Sequence, residues 1–367
     1  MFDTISDFFA RIFGGIGRGI GYLVSAIAWP FVSMGKWYTR RGWIVRGVVG
    51  AIVLLFVGLY GYFLYQTQVW SNFNPDYVAS YSFTPGSEQA ETSNGNGTCR
   101  PSAVVQTTAD LIDFEVNQNA WISSMILYKV GLFGVDWDHT PFLDNKASFQ
   151  RGINQAVRRT TVELVDTLGR VRGTSQVDGD LQSARGNMQF DEETWYFGLN
   201  PFGPKTPTPS FYRSARKDLI KFNDRLSSCN ATFDPRADNL LQFLDRIAND
   251  IGSTSDILRD RSDNYSSGWF DTRADDRFWF AYGQLYAYYG ILHAAGFDFH
   301  DTIQNRGLKS LWDRLEQQLR ASLNVQPFIV SNGNESGWIM PTHLATMGFY
   351  VLRVRSNIVE IRSVLDR

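Results

Sequence analysis

The run Gly47–Leu64, GVVGAIVLLFVGLYGYFL, contains no formal charge over its eighteen residues. An α-helix needs about 20 apolar residues to cross the hydrocarbon core of a bilayer, so this run and its flanks are long enough. Trp43 on one side and Tyr65 and Trp70 on the other are residue types that favour the membrane–water interface. A buried helix of a soluble domain rarely combines such a charge-free run with aromatic ends. We therefore predict one transmembrane helix over residues 43–65.

Basic residues are concentrated before this span, and no Lys or Arg follows it until Arg100. The four closest are Lys36, Arg40, Arg41 and Arg46. By the positive-inside rule, residues 1–42 stay in the cytoplasm and the chain after about residue 66 crosses the membrane. The span begins too deep in the chain to be a cleaved signal peptide. The sequence therefore predicts an uncleaved signal anchor, that is, a single-pass protein whose C-terminal bulk is exported.

Apolar residues recur at helical spacing through residues 1–35, with charged residues between them. They are Phe2, Ile5, Phe9, Ile12, Phe13, Ile16, Ile20, Leu23 and Ile27. This pattern is typical of an amphipathic helix that lies in the plane of the interface. A second, shorter membrane insertion over residues 20–32, broken at Pro30, is the alternative. The glycines at 14–21 follow no strand and precede no catalytic Lys, so we expect no nucleotide site there.

Composition excludes several classes of protein. Of the 367 residues, 44% are hydrophobic and 20% are charged, so a packed core is possible and global disorder is excluded. The formal net charge of −2 gives no basis for nucleic-acid binding. Two cysteines are too few for a disulfide scaffold or a cysteine-based zinc module.

Beyond the span, we predict a flexible spacer over residues 66–101 and then a mostly α-helical, bundle-like exported domain over residues 102–367. The spacer contains prolines and the run TSNGNGT, with little apolar periodicity. The domain contains apolar residues at helical rather than alternating spacing. An irregular stretch is expected near residues 170–210, which contain GLNPFGPKTPTPS.

Two helices of this domain are sharply indicated. In DPRADNLLQFLDRIANDIG, Asp234 is the expected N-cap, Pro235 the first helical residue and Gly252 the C-terminal stop. The last helix contains a seam of apolar residues in alternating steps of three and four. Its members are Leu344, Met347, Val351, Val354, Ile358, Ile361 and Leu365. Such a seam indicates either packing within the domain or a homo-oligomer contact.

Cys99 and Cys229 both follow the predicted span. Two thiols in an oxidising compartment tend to pair, so we expect a Cys99–Cys229 disulfide. Two unpaired cysteines remain the alternative, because the sequence does not give the distance between them.

No catalytic, cofactor-binding or metal-binding set is recognisable in the sequence. The one local cluster of metal-ligand types contains His293, Asp298, His300 and Asp301. Its spacing matches no standard zinc motif, and an ordinary helix end explains it. The acids Asp191, Glu192 and Glu193 precede aromatic residues and could include a general acid, but three acids at a helix N-terminus are the simpler interpretation. The aromatic run Trp279–Gly290 could line a groove or fill a core.

Several short strings resemble a bacterial family called domain of unknown function 2333. They are FDPRADNL (Phe233–Leu240), WYF (Trp195–Phe197), PSFYR (Pro209–Arg213), LDN (Leu143–Asn145) and FQRG (Phe149–Gly152). The family has an N-terminal membrane anchor and no assigned activity, so no catalytic residue is implied. The resemblance implies a bacterial envelope protein whose exported side is the periplasm.

The resulting expectation is a protein of the bacterial inner membrane with a periplasmic helical domain. Its expected role is that of a membrane-anchored interaction or scaffold component rather than an enzyme. The lipid bilayer and an envelope protein are the expected partners, and no cofactor is expected. A cell-wall hydrolase that uses a carboxylate among residues 191–193 is one alternative. A helical domain that binds a hydrophobic ligand is the other.

Overall fold

The protein is mostly α-helical and forms two compact units, residues 1–62 and residues 63–367. The computed structural model describes residues 21–22, 25–26, 28–85, 99–132, 134–170, 176–199, 201–266, 268, 271–334 and 341–367. The predicted fold class is confirmed. Most of the predicted N-terminal amphipathic helix lies outside the described residues.

Helix α1, Trp43–Gln68, contains the predicted transmembrane span. Its best 18-residue window has a mean hydropathy of 2.2, and nearly all of its side chains are exposed. Among the described residues, it is the helix that is long and apolar enough to cross a membrane. The helix continues past residue 65 to Gln68, and its last six residues belong to the second unit.

The second unit is a bundle of α-helices with one small hairpin. The α-helices are α2 (Ala103–Asp113), α3 (Ile126–Val130), α4 (Asn145–Glu163), α5 (Gly179–Met188), α6 (Thr208–Ser227), α7 (Ala237–Asn264), α8 (Ala274–Asp298), α9 (His300–Asn305), α10 (Lys309–Ser322) and α11 (His343–Leu365). Single π-helical turns, Phe114–Gln118 and Leu164–Leu168, extend α2 and α4, and 3₁₀ turns occur at Tyr77–Ser80, Ile122–Ser124 and Trp137–His139. Strands β1 (Phe197–Leu199) and β2 (Phe202–Pro204) pair antiparallel.

Helix α8 is the centre of this bundle, and it packs on α2, α4, α7, α10 and α11. Its side chains are buried on several faces, which explains why the aromatic run Trp279–Gly290 is so apolar. Those exposed by 2% or less include Phe278, Tyr282, Leu285, Tyr286, Tyr288, Ile291 and Leu292. The structure therefore supports the core interpretation of this run over the groove interpretation.

Helices α4 and α8 approach each other closely through two glycines. A Cβ atom on Gly152 would lie 2.0 Å from the carbonyl oxygen of Phe280, and a Cβ atom on Gly283 would lie 2.0 Å from that of Phe149. Real Cβ atoms do not approach backbone atoms so closely. The two helices can therefore pack at this distance only because both positions are glycine.

The predicted ends of the helix around residues 234–252 are wrong. The N-cap is Arg236, whose guanidinium donates to the Asp234 carboxylate, and the helix continues past Gly252 to Asn264. Gly252 serves packing instead, because a Cβ atom there would lie 3.0 Å from Nε of Arg355 on α11. Burial of Leu258 beyond the glycine explains why the helix does not stop.

The predicted flexible spacer is wrong for residues 66–85, which pack onto the bundle. The ring of Trp70 stacks on Phe149 with centroids 4.9 Å apart, and the ring of Tyr77 stacks on Tyr286 at 4.5 Å. The Tyr77 hydroxyl also donates to the Tyr286 carbonyl oxygen at 2.8 Å. The residues that make these contacts do not recur at helical spacing, so their hydrophobic pattern did not predict a packed segment. Residues 86–98 lie outside the described residues.

The stretch near 170–210 is more regular than predicted, since it contains α5 and the β1–β2 hairpin. Asp178 caps α5 by accepting from the backbone N–H groups of Asp180 and Leu181. The seam of α11 is buried within the chain, with each of its seven members exposed by 5% or less. It packs against α7 and α10, so it offers no free surface for the homo-oligomer that was the other interpretation.

We expect Gly283→Ala to lower the free energy of unfolding by at least about 2 kcal/mol, because the added methyl group overlaps the backbone of α4. Gly348→Ala on α11 is the matched control. Its Cβ atom would meet nothing within 4 Å, so alanine there should be neutral or stabilise by about 0.5–1 kcal/mol. Thermal unfolding of the full-length chain in detergent measures both, and equal shifts for the two variants would contradict the packing role of Gly283.

Candidate functional site

Cys99 and Cys229 are joined in a disulfide; their Cα atoms lie 5.3 Å apart, and the two residues are 130 positions apart in the chain. Cys229 follows the end of α6 and has a φ of 63°, a left-handed conformation that favours glycine. There the backbone N–H of Asn230 closes the helix end by donating to the Arg225 carbonyl oxygen at 2.7 Å. The bond ties the segment before α2 to the end of α6.

The acids Asp191, Glu192 and Glu193 do not begin a helix, so the predicted helix N-terminus is wrong. They line an open depression of about 410 Å³ together with Arg151 and Arg158. Oε1 of Glu192 accepts from Arg158 at 2.7 Å, and Oε1 of Glu193 accepts from Arg151 at 2.8 Å. These carboxylates are partners of arginines, whereas a general acid with a raised pKa needs an apolar surrounding without such partners.

The residues of the HAAGFDFHD string do not converge on a common point. His293 lies 3.3 Å from Oε1 of Glu316, a residue of α10. Asp298 instead accepts from the Ser102 hydroxyl at 2.6 Å and from the backbone N–H groups of Ala103 and Val104 at 2.8 and 2.9 Å. It therefore caps the first turn of α2 from the end of α8, and burial raises its pKa to about 6.

A different cluster of acids, which no sequence pattern indicated, lies between the starts of α4 and α8. It consists of Asp144, Asp275 and Asp276, which we call the aspartate cluster. Asp144 has no exposed surface and Asp275 is 3% exposed. Oδ1 of Asp276 accepts from the Ser148 hydroxyl at 2.8 Å, whereas neither oxygen of Asp144 has a donor among the groups the structure describes.

Burial and mutual repulsion raise the pKa values throughout the aspartate cluster. Removal from water, followed by the charges of Asp276 and Asp275, raises the pKa of Asp144 to about 10. Removal from water and the neighbouring Asp276 raise the pKa of Asp275 to about 8, and burial also raises that of Asp276. Like charges this close cannot all ionise, so the cluster holds protons at neutral pH.

Lys146, in the first turn of α4, is 2% exposed and forms hydrogen bonds to the end of α1. Its Nζ donates to the carbonyl oxygens of Gln66 at 2.9 Å and Val69 at 2.7 Å. A cation at a helix C-terminus satisfies carbonyls that have no partner within the helix. Burial lowers the pKa of Lys146 to about 8.

These arrangements are suited to structural roles rather than to metal binding or turnover. Among the residues that the structure describes, no group of three or more His, Cys, Asp or Glu side chains is placed to hold a metal ion. Asp144 and Asp275 of the aspartate cluster are closed to a substrate by their burial. The sequence did not reveal the cluster, because Asp144 lies more than 125 positions before Asp275 and Asp276 and each looks like an ordinary acid at a helix start.

The sequence model of a family described as an uncharacterized protein conserved in bacteria (DUF2333) matches residues 53–267 and 259–367. The match covers well over half of the chain, so the chain belongs to this family, and the resemblance seen in the sequence is confirmed. No curated protein and no solved structure matches the chain.

We expect Asp144→Asn to change how stability depends on pH. A carboxyl whose folded pKa lies above its unfolded value of about 4 stabilises fully below that value, and this contribution is lost as pH rises through the folded pKa. The wild-type chain should therefore lose stability from about pH 4 towards pH 8 and above, by up to about 1.4 kcal/mol per pH unit for each such group. Asparagine does not ionise, so the Asp144→Asn variant should avoid the part of this loss of stability that comes from Asp144.

Unfolding midpoints of the full-length chain at pH 5 and pH 8 test this expectation. The midpoint of Asp144→Asn relative to wild type should rise between the two pH values. Asp313→Asn is the control, because Asp313 is partly exposed on α10 and pairs with Lys309. Parallel pH profiles for wild type and Asp144→Asn would contradict the raised pKa.

Proposed function

We propose that this member of the DUF2333 family is a single-pass protein of the bacterial inner membrane whose helical domain lies in the periplasm. There it would act as a non-enzymatic interaction or scaffold component of the cell envelope. The apolar helix α1 and the basic residues before it support this orientation. The bilayer is then one partner, and an envelope protein is the other.

The disulfide carries the proposal about location. Cys99 and Cys229 both follow α1 in the chain, and stable disulfides form in oxidising compartments such as the periplasm. A bond that closes a loop of this length also restricts the unfolded chain, with a typical contribution of about 2–5 kcal/mol in exported domains. A cytosolic domain would be kept reduced and would not gain this contribution.

The contacts of the ionisable side chains support a binding role rather than catalysis. Asp298 caps α2, Glu192 and Glu193 pair with arginines, and two of the three members of the aspartate cluster are buried. Asp250, in α7, accepts from Gln284 at 2.8 Å and from the Tyr288 hydroxyl at 2.6 Å inside the bundle. In each case the polar group is used to hold the fold, as buried polar groups usually are.

Paired reporter fusions test the location. Alkaline phosphatase joined after Arg367 should be active in intact cells, because this enzyme needs the oxidising periplasm for its own disulfides. The same enzyme joined at Gly35 should be inactive. Activity of the C-terminal fusion in the cytosol alone would remove the compartment and the envelope role together.

Cross-linking in intact cells with a reagent that does not cross the inner membrane tests the role. Tagged full-length chain should recover the same envelope protein in repeated experiments. The variant Glu192→Gln/Glu193→Gln removes both charges without changing shape, and it should recover that protein equally and leave the cellular phenotype unchanged. Recovery of the tagged chain alone would contradict a scaffold role, and loss of phenotype with normal folding would favour the hydrolase.

A further inference from the structure

The segment from α3 to the start of α4 exposes apolar side chains where a polar loop would be expected. Ile126, Val130, Leu132 and Val135 are 38%, 52%, 43% and 58% exposed, and Phe328 is 89% exposed. We call these five residues the proximal apolar surface. Leu132 and Val135 form a tight antiparallel bridge with Gly134 in a left-handed conformation, and turns of this kind usually expose polar residues. An exposed apolar group of this kind marks a surface that something covers.

The same segment is anchored on the end of α1. The ring of Trp137 lies 5.0 Å from that of Phe63, and its Nε1 donates to the Leu127 carbonyl oxygen at 2.7 Å. Nε2 of Gln68 donates to the Phe142 carbonyl oxygen at 2.9 Å, and the Phe142 ring lies 5.8 Å from that of Phe328. All of these contacts lie within the second unit. The proximal apolar surface is therefore tied to residues 63–68.

The position of residues 63–68 in the chain limits what this surface can meet. Phe63 lies inside the apolar run Gly47–Leu64. At 1.5 Å per residue, the five steps from Phe63 to Gln68 advance about 8 Å along the helix axis. The polar layer on each side of the hydrocarbon core is about 5–8 Å thick. Side chains packed around residues 63–68 consequently lie within the headgroup layer when the run before them lies in the core.

We propose that the proximal apolar surface inserts into the outer-leaflet headgroup and upper acyl region of the same bilayer that α1 spans. The inference rests on the proposed function, because it requires α1 in the membrane. Apolar side chains at this depth gain by leaving water, as the apolar faces of interfacial helices do. Lys129, exposed between Ile126 and Val130, is placed to meet lipid phosphates. The domain is then held against the membrane by a surface in addition to its helix.

Fluorophores on single cysteines of the full-length chain test the proposal. The only two native cysteines are bonded to each other, so an added thiol is the sole site of labelling. Val130→Cys and Val135→Cys report on the proximal apolar surface. Val359→Cys on α11 is the matched control, because it is also an exposed valine, with 42% of its surface accessible. Val57→Cys, in the middle of α1, reports on the anchor itself.

The control is distant from the proximal apolar surface along the bundle. Arg355 and Arg362, on either side of Val359, bond to Ala248 and Asp245 in the first half of α7. The carbonyl oxygen of Pro235, two residues before α7, accepts from the Thr302 hydroxyl, and Thr302 follows the C-terminal end of α8. The aspartate cluster and the contacts with residues 66–69 lie at the opposite, N-terminal end of α8.

The measurement is fluorescence of an environment-sensitive label in phosphatidylcholine–phosphatidylglycerol vesicles, with lipids that carry a quencher at a shallow or a deep acyl position. At positions 130 and 135 we expect blue-shifted emission that the shallow quencher reduces. At position 57 we expect the deep quencher to reduce the emission. At position 359 we expect neither quencher to reduce the emission much. Retained disulfide and helical content verify that each variant is folded.

The other outcomes overturn defined parts of the proposal. Loss at position 57 without loss at positions 130 and 135 would overturn the inference and leave the anchor intact. Blue-shifted emission at positions 130 and 135 that lipid quenchers do not reduce would mean that a second copy covers the surface, which also overturns it. Absence of loss at all four positions would overturn the membrane anchor of the proposed function together with the inference.

Discussion

The contact between α4 and α8 is the constraint on which the rest of the bundle depends. Each helix presents a glycine to the backbone of the other, so the two axes lie closer than side chains would allow. This approach brings the starts of both helices together and gathers the aspartate cluster. It also places Phe149 of α4 and Tyr286 of α8 side by side, with ring centroids 5.4 Å apart. Trp70, Phe73 and Tyr77 pack against these two rings.

This arrangement buries members of the aspartate cluster together with Lys146. The domain stabilises these buried ionisable groups in two ways. Lys146 is satisfied by two backbone carbonyls, whereas the carboxyls of Asp144 and Asp275 are kept neutral by protons. Both solutions avoid an isolated buried ion, which would cost several kcal/mol. Asp144 and Lys146 lie at the start of α4, and Lys146 contacts the end of α1.

Local features of the fold were predictable from the sequence, whereas long-range features were not. The span of α1 depends on composition within one window, and the seam of α11 depends on periodicity within one helix, so both were visible. The role of Gly252 could not be predicted, because it depends on packing against Arg355, a residue of another helix. Trp70 and Tyr77 carried no periodicity, and their partners lie about 80 and 209 positions further along the chain. The aspartate cluster was missed for the same reason, since helix-start acids are common and only their convergence distinguishes these.

The packing of residues 66–85 on α4 and α8 has a consequence for the order in which this domain folds. These residues follow α1 directly, so they are synthesised before any helix of the bundle. Their docking site contains Tyr286, which is synthesised some two hundred residues later. Trp70, Phe73 and Tyr77 are therefore uncovered while most of the polypeptide is made. The aromatic interior closes only near the end of synthesis, which makes this domain a late folder whatever the speed of its individual helices.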